Sequence, residues 1–264
     1  MNCINCGVEA SGKFCSECGQ RVVVKRITLK EEWNDFWSRL YGFDGMFSRT
    51  LRELTLRPGM VAKEYIAGNR LKYYGPVGYF FLMVTLLLLL LSMMDLNFAE
   101  LIRNKQDMIA IPQTNKKLTA LVTEWAADNI KWIAFLGVPF QAFTARYFFF
   151  RKSGRNFLEH TVPLFYISGH LFWITILTFV YRKIADEMPS AWIGLLSILY
   201  FGYVYSTFMT YQSRMKSFMK GIGVYLGGQL MFVIMLSLVA VAAVLILSVV
   251  DPDSLDAFRP SRNP

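Results

Sequence analysis

Beyond Cys18 the 264-residue sequence contains no cysteine, and it has only two histidines. Disulfides spread through the chain are therefore excluded. His160 and His170 are ten residues apart, about 15 Å along a helix, too far to share one metal ion. Acidic residues are scarce as well, 19 Asp and Glu against 28 Lys and Arg. They fall in loops and in the segment 21–75, so paired-carboxylate chemistry within the apolar part is not expected. Gly-x-Ser-x-Gly, His-Glu-x-x-His and phosphate-binding Gly-Lys-Ser/Thr sequences are missing, and no enzyme activity is expected. The start, Met1-Asn2-Cys3-Ile4-Asn5-Cys6, has neither a basic n-region nor an apolar h-region. No cleavable signal peptide is expected, and the N-terminus is assigned to the cytoplasm.

What is abundant is apolar: 54% of residues are hydrophobic. The long runs gather in the C-terminal two-thirds and lack a charged face, which argues for lipid around them. The expected fold is an all-α multi-pass membrane protein with about five transmembrane helices, at 76–94, 131–150, 157–181, 191–211 and 222–250. The first includes six consecutive leucines, Leu86 to Leu91. The last is longer than a bilayer requires, so it is expected to tilt or project into the cytoplasm. The segment before residue 76 and the loops at 151–155 and 212–220 are basic. Those at 95–130, 182–189 and 251–264 are balanced or acidic, which predicts an N-inside, C-outside chain. Asn156 and Glu159 are expected to cap the third span, and a short helix is expected at 116–129.

The four cysteines form two Cys-x-x-Cys-Gly knuckles, Cys3 to Gly7 and Cys15 to Gly19. Four thiolates suit a tetrahedral metal, and each trailing glycine permits the positive φ of a tight turn. The expectation is a small zinc ribbon over residues 1–20, with Cys3, Cys6, Cys15 and Cys18 holding a structural Zn²⁺. So small a head cannot fold by apolar burial alone. Its Lys13, Phe14 and Glu17 fit a protein-partner surface and a plain solvated surface equally well.

Residues 21–75 read as a basic amphipathic helical collar on the cytoplasmic face. Thr28 and Glu31 form a capping box ahead of a helix whose one face carries Trp33, Phe36, Trp37, Leu40 and Tyr41. A second helix is predicted over 46–56 with Phe47, Leu51 and Leu54 inward. Pro58 begins a third, through Val61, Tyr65 and Ile66, and Gly68 ends it. Trp33, Trp37, Arg57 and Arg70 are the candidate membrane-interface residues. Contact with anionic headgroups and packing of the aromatic face on the chain's own bundle compete for this stretch, and a mixture of the two is expected. No groove-reading helix or aromatic RNA platform is recognisable, so no nucleic-acid partner is expected.

Several segments carry a family likeness. They are the two knuckles (the second as Phe14-Cys15-Ser16-Glu17-Cys18-Gly19-Gln20), Arg26-Ile27-Thr28-Leu29, Thr50-Leu51-Arg52-Glu53-Leu54, Arg57-Pro58-Gly59, Glu64 to Arg70, and Tyr73 to Pro76. In this order they resemble a bacterial family of membrane proteins catalogued as a domain of unknown function. The likeness covers roughly residues 1–90 and is specific there. Asn69 departs from it, standing where a more basic residue is expected. The resemblance implies a bacterial cytoplasmic (inner) membrane location and no particular activity.

Polar groups within the apolar runs are few. His170, Gln141, Tyr203 and Thr85 are placed near mid-depth, where they would serve either a pocket for a solute, lipid headgroup or proton, or hydrogen bonds between helices. Pro139 leaves a free carbonyl at Phe135. Gly223 and Gly227 suit close helix packing, within the chain or between copies in a homo-oligomer. Two functions compete: a membrane protein whose ribbon and collar form a cytoplasmic recognition or assembly module, and a small transporter or permeability factor built around His170 and Gln141.

Overall fold

A computed structural model describes residues 1–22, 46–94, 124, 125, 127–185 and 190–250. The capping box at Thr28, the tryptophans Trp33 and Trp37, most of the helix expected at 116–129 and the tail from 251 lie outside the described residues. Within them the structure is all-helical, with seven α-helices. These are α1 (Met46–Leu56), α2 (Pro58–Ile66), α3 (Pro76–Met93), α4 (Ile130–Thr144), α5 (Phe157–Ala185), α6 (Ser190–Phe208) and α7 (Arg214–Val250).

Local chemistry sets the boundaries. In α1, Thr50, Glu53 and Leu54 are buried at helical spacing, and Phe47 and Leu51 pack beside them. Pro58 has no N–H to give to Leu54, so the ladder stops and α2 starts with the proline in its first turn. Gly68, at φ +107°, ends α2 in the left-handed region, and the Asn69 N–H returns to the Glu64 carbonyl at 3.0 Å. Pro139 lies inside α4, which passes into a π-helical turn, Ala145–Phe149, closed by the Phe150 N–H on the Ala145 carbonyl at 2.8 Å. The cap expected at Asn156 is reciprocal. Its N–H reaches the Glu159 carboxylate at 2.8 Å, and its side-chain oxygen accepts from the Glu159 N–H at 2.7 Å.

Among the described residues, three helices are long and apolar enough to cross a membrane: Pro76–Met93, Phe157–Tyr181 and Arg214–Val239. α6 adds a shorter apolar stretch, Gly194–Phe208. α3 lies along α5, α6 along α7, and α4 bridges α5 and α7. Aromatic rings fill the core around Phe80, which touches Phe81, Phe135, Phe165 and Phe172 at centroid distances of 5.2–6.1 Å.

The collar helices are part of this core. Leu54, Val61, Ala62 and Tyr65 are buried, and α2 packs on α5 and α6. Of the two uses weighed for this segment, α1 and α2 take the packing on the chain's own bundle. Gly223 and Gly227 also face inward, against Phe149 and Thr144 of the same chain.

Candidate metal centre and its platform

The two knuckles repeat one geometry twelve residues apart. The Gly7 N–H bonds the Cys3 carbonyl and the Gly19 N–H bonds the Cys15 carbonyl, both at 2.9 Å. Gly7 and Gly19 take φ of +77° and +70°, where a side chain would be strained. All four Sγ atoms lie within 4.8 Å of one another. Cys3 and Cys18 are 3.6 Å apart, and Cys6 and Cys15 are 3.5 Å apart. A disulfide needs about 2.05 Å. Four thiolates at about 2.3 Å from one tetrahedral ion stand about 3.8 Å apart, so the cluster fits a metal of that kind.

The thiols are electrostatically uneven. The Gln20 backbone N–H, with Asn5, holds Cys18 down at about 6. At Cys6 the Val8 backbone group favours the thiolate, but lost hydration and the Cys15, Cys18 and Cys3 thiols push it up to about 12. Four negative sulfurs in so small a space need a cation. The packing beneath them is slight: Cys3, Ala10 and Cys15, with Cys18 and Val22 alongside.

The ribbon is seated on the helices. Gln20 is buried and its side-chain N–H donates to the Gly68 carbonyl at the end of α2. This joins two features visible separately in the sequence, the Gln after the second knuckle and the glycine that ends α2.

Below that joint, α1 and α2 form an elbow locked into the bundle. The carbonyl that Pro58 cannot serve, at Leu54, accepts from the Tyr200 hydroxyl at 2.9 Å, and the Leu56 carbonyl accepts from Tyr203 at 2.7 Å. Both tyrosines therefore act as C-terminal caps for α1. Glu53 is buried and pairs with Arg57, which holds its carboxyl below the usual carboxylate value. Gly59 is where α2 crosses α6: a Cβ there would stand 2.5 Å from the Thr207 carbonyl carbon. The Thr50 hydroxyl accepts the Tyr74 N–H at 2.9 Å, and Tyr166 donates to the Tyr74 carbonyl at 2.7 Å. Glu64 accepts from Lys72 at 2.7 Å and from Tyr73 at 3.0 Å. The motif residues of the sequence are thus mostly joinery.

His170 sits against this elbow. Thr55 donates its only hydroxyl hydrogen to the Leu51 carbonyl at 2.9 Å and lies 3.3 Å from the histidine Nε2. The hydroxyl must therefore accept from Nε2–H, which leaves Nδ1 to accept from Tyr79, 3.2 Å away. Tyr200 stacks on the ring at 5.3 Å. His170 is the fourteenth of 29 residues in α5, yet it stands at the first turn of α3. The reason is that α5 begins well before α3, and α1 and α2 fill the space beside its early turns.

The other polar candidates scatter. Gln141 is buried against Gly228 in α7, within 2.5 Å of where that residue's Cβ would be. Tyr203 joins the elbow through Leu56. Thr85 is exposed, off the buried row Tyr79, Phe80, Met83, Val84 and Leu87. Arg57 serves Glu53, and the Arg70 guanidinium lies 5.8 Å from the centre of the Tyr65 ring. His160 is wholly buried, 3.2 Å from Ser153. The sequence motifs include Thr50, Glu53 and Gly59 without a role for any of them, and Tyr79 is not singled out there. A carboxylate four residues before an arginine at a helix end was the available signal for Glu53.

Long apolar helices around an aromatic core, three of them long enough to cross a membrane, fit a membrane protein, and the four-thiol knuckle pair seated at one end is compatible with a metal ion. Residues 44–88, which comprise α1, α2 and the first two-thirds of α3, match the family described as "Protein of unknown function (DUF3667)". No curated protein and no solved structure matches the chain.

Proposed function

We infer that the protein is a bacterial inner-membrane protein whose zinc-loaded ribbon and α1–α2 elbow form a cytoplasmic recognition or assembly module. The observation that carries this reading is the ribbon's seating. The ribbon is held to the bundle through Gln20 and Gly68, while Val8 and Phe14 are 43% and 57% exposed. A metal-built head anchored to the bundle that still leaves apolar side chains exposed suits a protein partner. The metal is structural, because four thiolates leave no open position for a substrate.

Five crossings remain the proposed topology, with the N-terminus inside. Ile130 to Phe149 is a continuous helical segment of 20 residues once the π turn is added to α4, and α6 has 19. Both approach the length a bilayer needs. The basic loops then fall on the ribbon's side. Burial pushes Lys63 below the usual lysine value, and the nearby Arg155 adds to it. Two such cations on neighbouring elements favour anionic headgroups.

A solute pocket around His170 and Gln141 has less support. Both histidine nitrogens already have side-chain partners, and Gln141 serves a different helix contact. The module reading is tested by crosslinking in cells followed by mass spectrometry, comparing the intact chain with one lacking residues 1–20. A protein captured by the intact chain and lost with the ribbon is the expected result. The same captured set from both chains would sink it.

A further inference from the structure

Ribbon and helices do not close completely against one another. Between them lies a cleft of ≈ 490 Å³ whose walls include Ile4 and Asn5 from the ribbon, Arg49 from α1, Glu64 from α2, and Asn69 and Lys72 beyond it. That volume falls in the range of small-molecule sites, about 300–1,000 Å³. Lys72 and Glu64 are paired with each other, so their charges largely cancel. Arg49, exposed on the rim, adds an excess positive charge. Asn69 is 93% buried by its 7% exposure, and its Oδ1 has no hydrogen-bond partner. An orphaned buried acceptor is costly, and a donor arriving in the cleft removes that cost once the amide turns toward it.

We propose that this cleft binds a phosphate ester that also carries an ammonium or hydroxyl donor, with the phosphate on Arg49 and Lys72 and the donor on Asn69. Guanidinium and ammonium groups together suit a phosphate's oxygens. The Asn69 acceptor separates such a compound from a bare anion or a fully methylated amine. The same chemistry occurs in an amine-bearing phospholipid headgroup and in soluble phosphoethanolamine. Asn5 and Ile4 come from the ribbon, so the cleft has its full wall only when the ribbon is folded. The site goes beyond the module reading, since it requires no protein partner.

The test is native mass spectrometry of the full-length, metal-loaded protein in detergent. It is titrated with phosphatidylethanolamine, with phosphatidylcholine, which has no N–H, and with soluble phosphoethanolamine. Phosphatidylethanolamine should bind about tenfold more tightly than phosphatidylcholine, and Arg49→Ala should weaken it by a similar factor. Asn69→Leu should bring the two lipids level, and Arg49→Lys should restore part of the loss. Metal content and melting temperature check that each variant is folded. Tight binding of the soluble compound identifies a free metabolite as the source, and binding of the lipid alone identifies a headgroup. Equal binding of both lipids to the parent protein overturns the proposal, and so does binding that Arg49→Ala leaves unchanged. Arg49→Ala leaves the ribbon intact, so crosslinked partners should persist in it, and the two readings fail separately.

Discussion

Replacing Gly59 by alanine adds one methyl group at the crossing of α2 and α6, and the structure leaves no room for it. The added carbon would stand 2.5 Å from the Thr207 carbonyl carbon, with the Phe208 backbone nitrogen also in its way. Where a new methyl meets a flexible side chain, the neighbour can rotate off. Here it meets main chain within a helix, so α2 or α6 must shift, and the Tyr200 and Tyr203 caps on α1 shift with it. Overpacking by one carbon costs about 1–3 kcal/mol, and contact with backbone puts this site at about 3. At about 2–4 °C per kcal/mol for a chain of this size, Gly59→Ala should melt roughly 6–12 °C lower. Tryptophan fluorescence in one detergent and at one scan rate reads this. Gly137→Ala is the matched control. It too is helical, but a Cβ there meets nothing within 4 Å, and alanine's helix propensity should make it neutral or up to about 1 kcal/mol more stable. If Gly59→Ala melts with the parent protein, the close crossing of α2 and α6 is wrong.

Tyr200→Phe removes the hydroxyl that serves the Leu54 carbonyl and should cost about 1–3 kcal/mol, read as a lower melting temperature. Tyr203→Phe should cost less, because Tyr203 is 38% exposed and water can replace it; equal losses would contradict the difference in burial. Chelation or Cys15→Ser should abolish metal binding, measured as one equivalent per chain in the parent protein. It should also unprotect the Cys3, Gly7, Cys15 and Gly19 amides in hydrogen exchange while α3 and α5 stay protected. Metal affinity should fall as pH drops from 7 to 5, because protons compete for thiolates, including Cys18 at about 6; a flat profile over that range would argue against thiolate ligation. Glu53 is held below its ordinary value of 4.5, chiefly by Arg57. Its stabilising effect is therefore full above that value and lost as pH falls through the lowered one. Glu53→Gln should remove that part of the acid sensitivity of the melting temperature.

The clustering of the four cysteines was legible because a thiol cluster of this kind is written locally. Two Cys-x-x-Cys-Gly repeats carry both the ligands and the turn, and little tertiary context is needed. The boundaries at Leu56, Gly68 and Asn156 were legible for the same reason, since each is set by one proline, glycine or cap. The depth of His170 was not. Position within a helix gives depth only if neighbouring helices begin level, and α5 starts early to pack against α1 and α2. Gln141 looked like a companion to His170 by depth alone. Their helices turn these side chains toward different neighbours, which spacing along one chain does not encode. Glu53 was visible only as a motif position, because its burial depends on how α1 packs on the bundle.

The caps on α1 also impose a waiting time. Leu54 and Tyr200 are separated by 146 residues, and Leu56 and Tyr203 by 147. At about 5–20 residues per second, the elbow leaves the ribosome roughly 7–30 s before the hydroxyls that complete it exist. For that interval its carbonyls and the apolar face of α2 must be held by water, by the lipid surface or by a chaperone. The segment that anchors the ribbon is therefore made early but finished late.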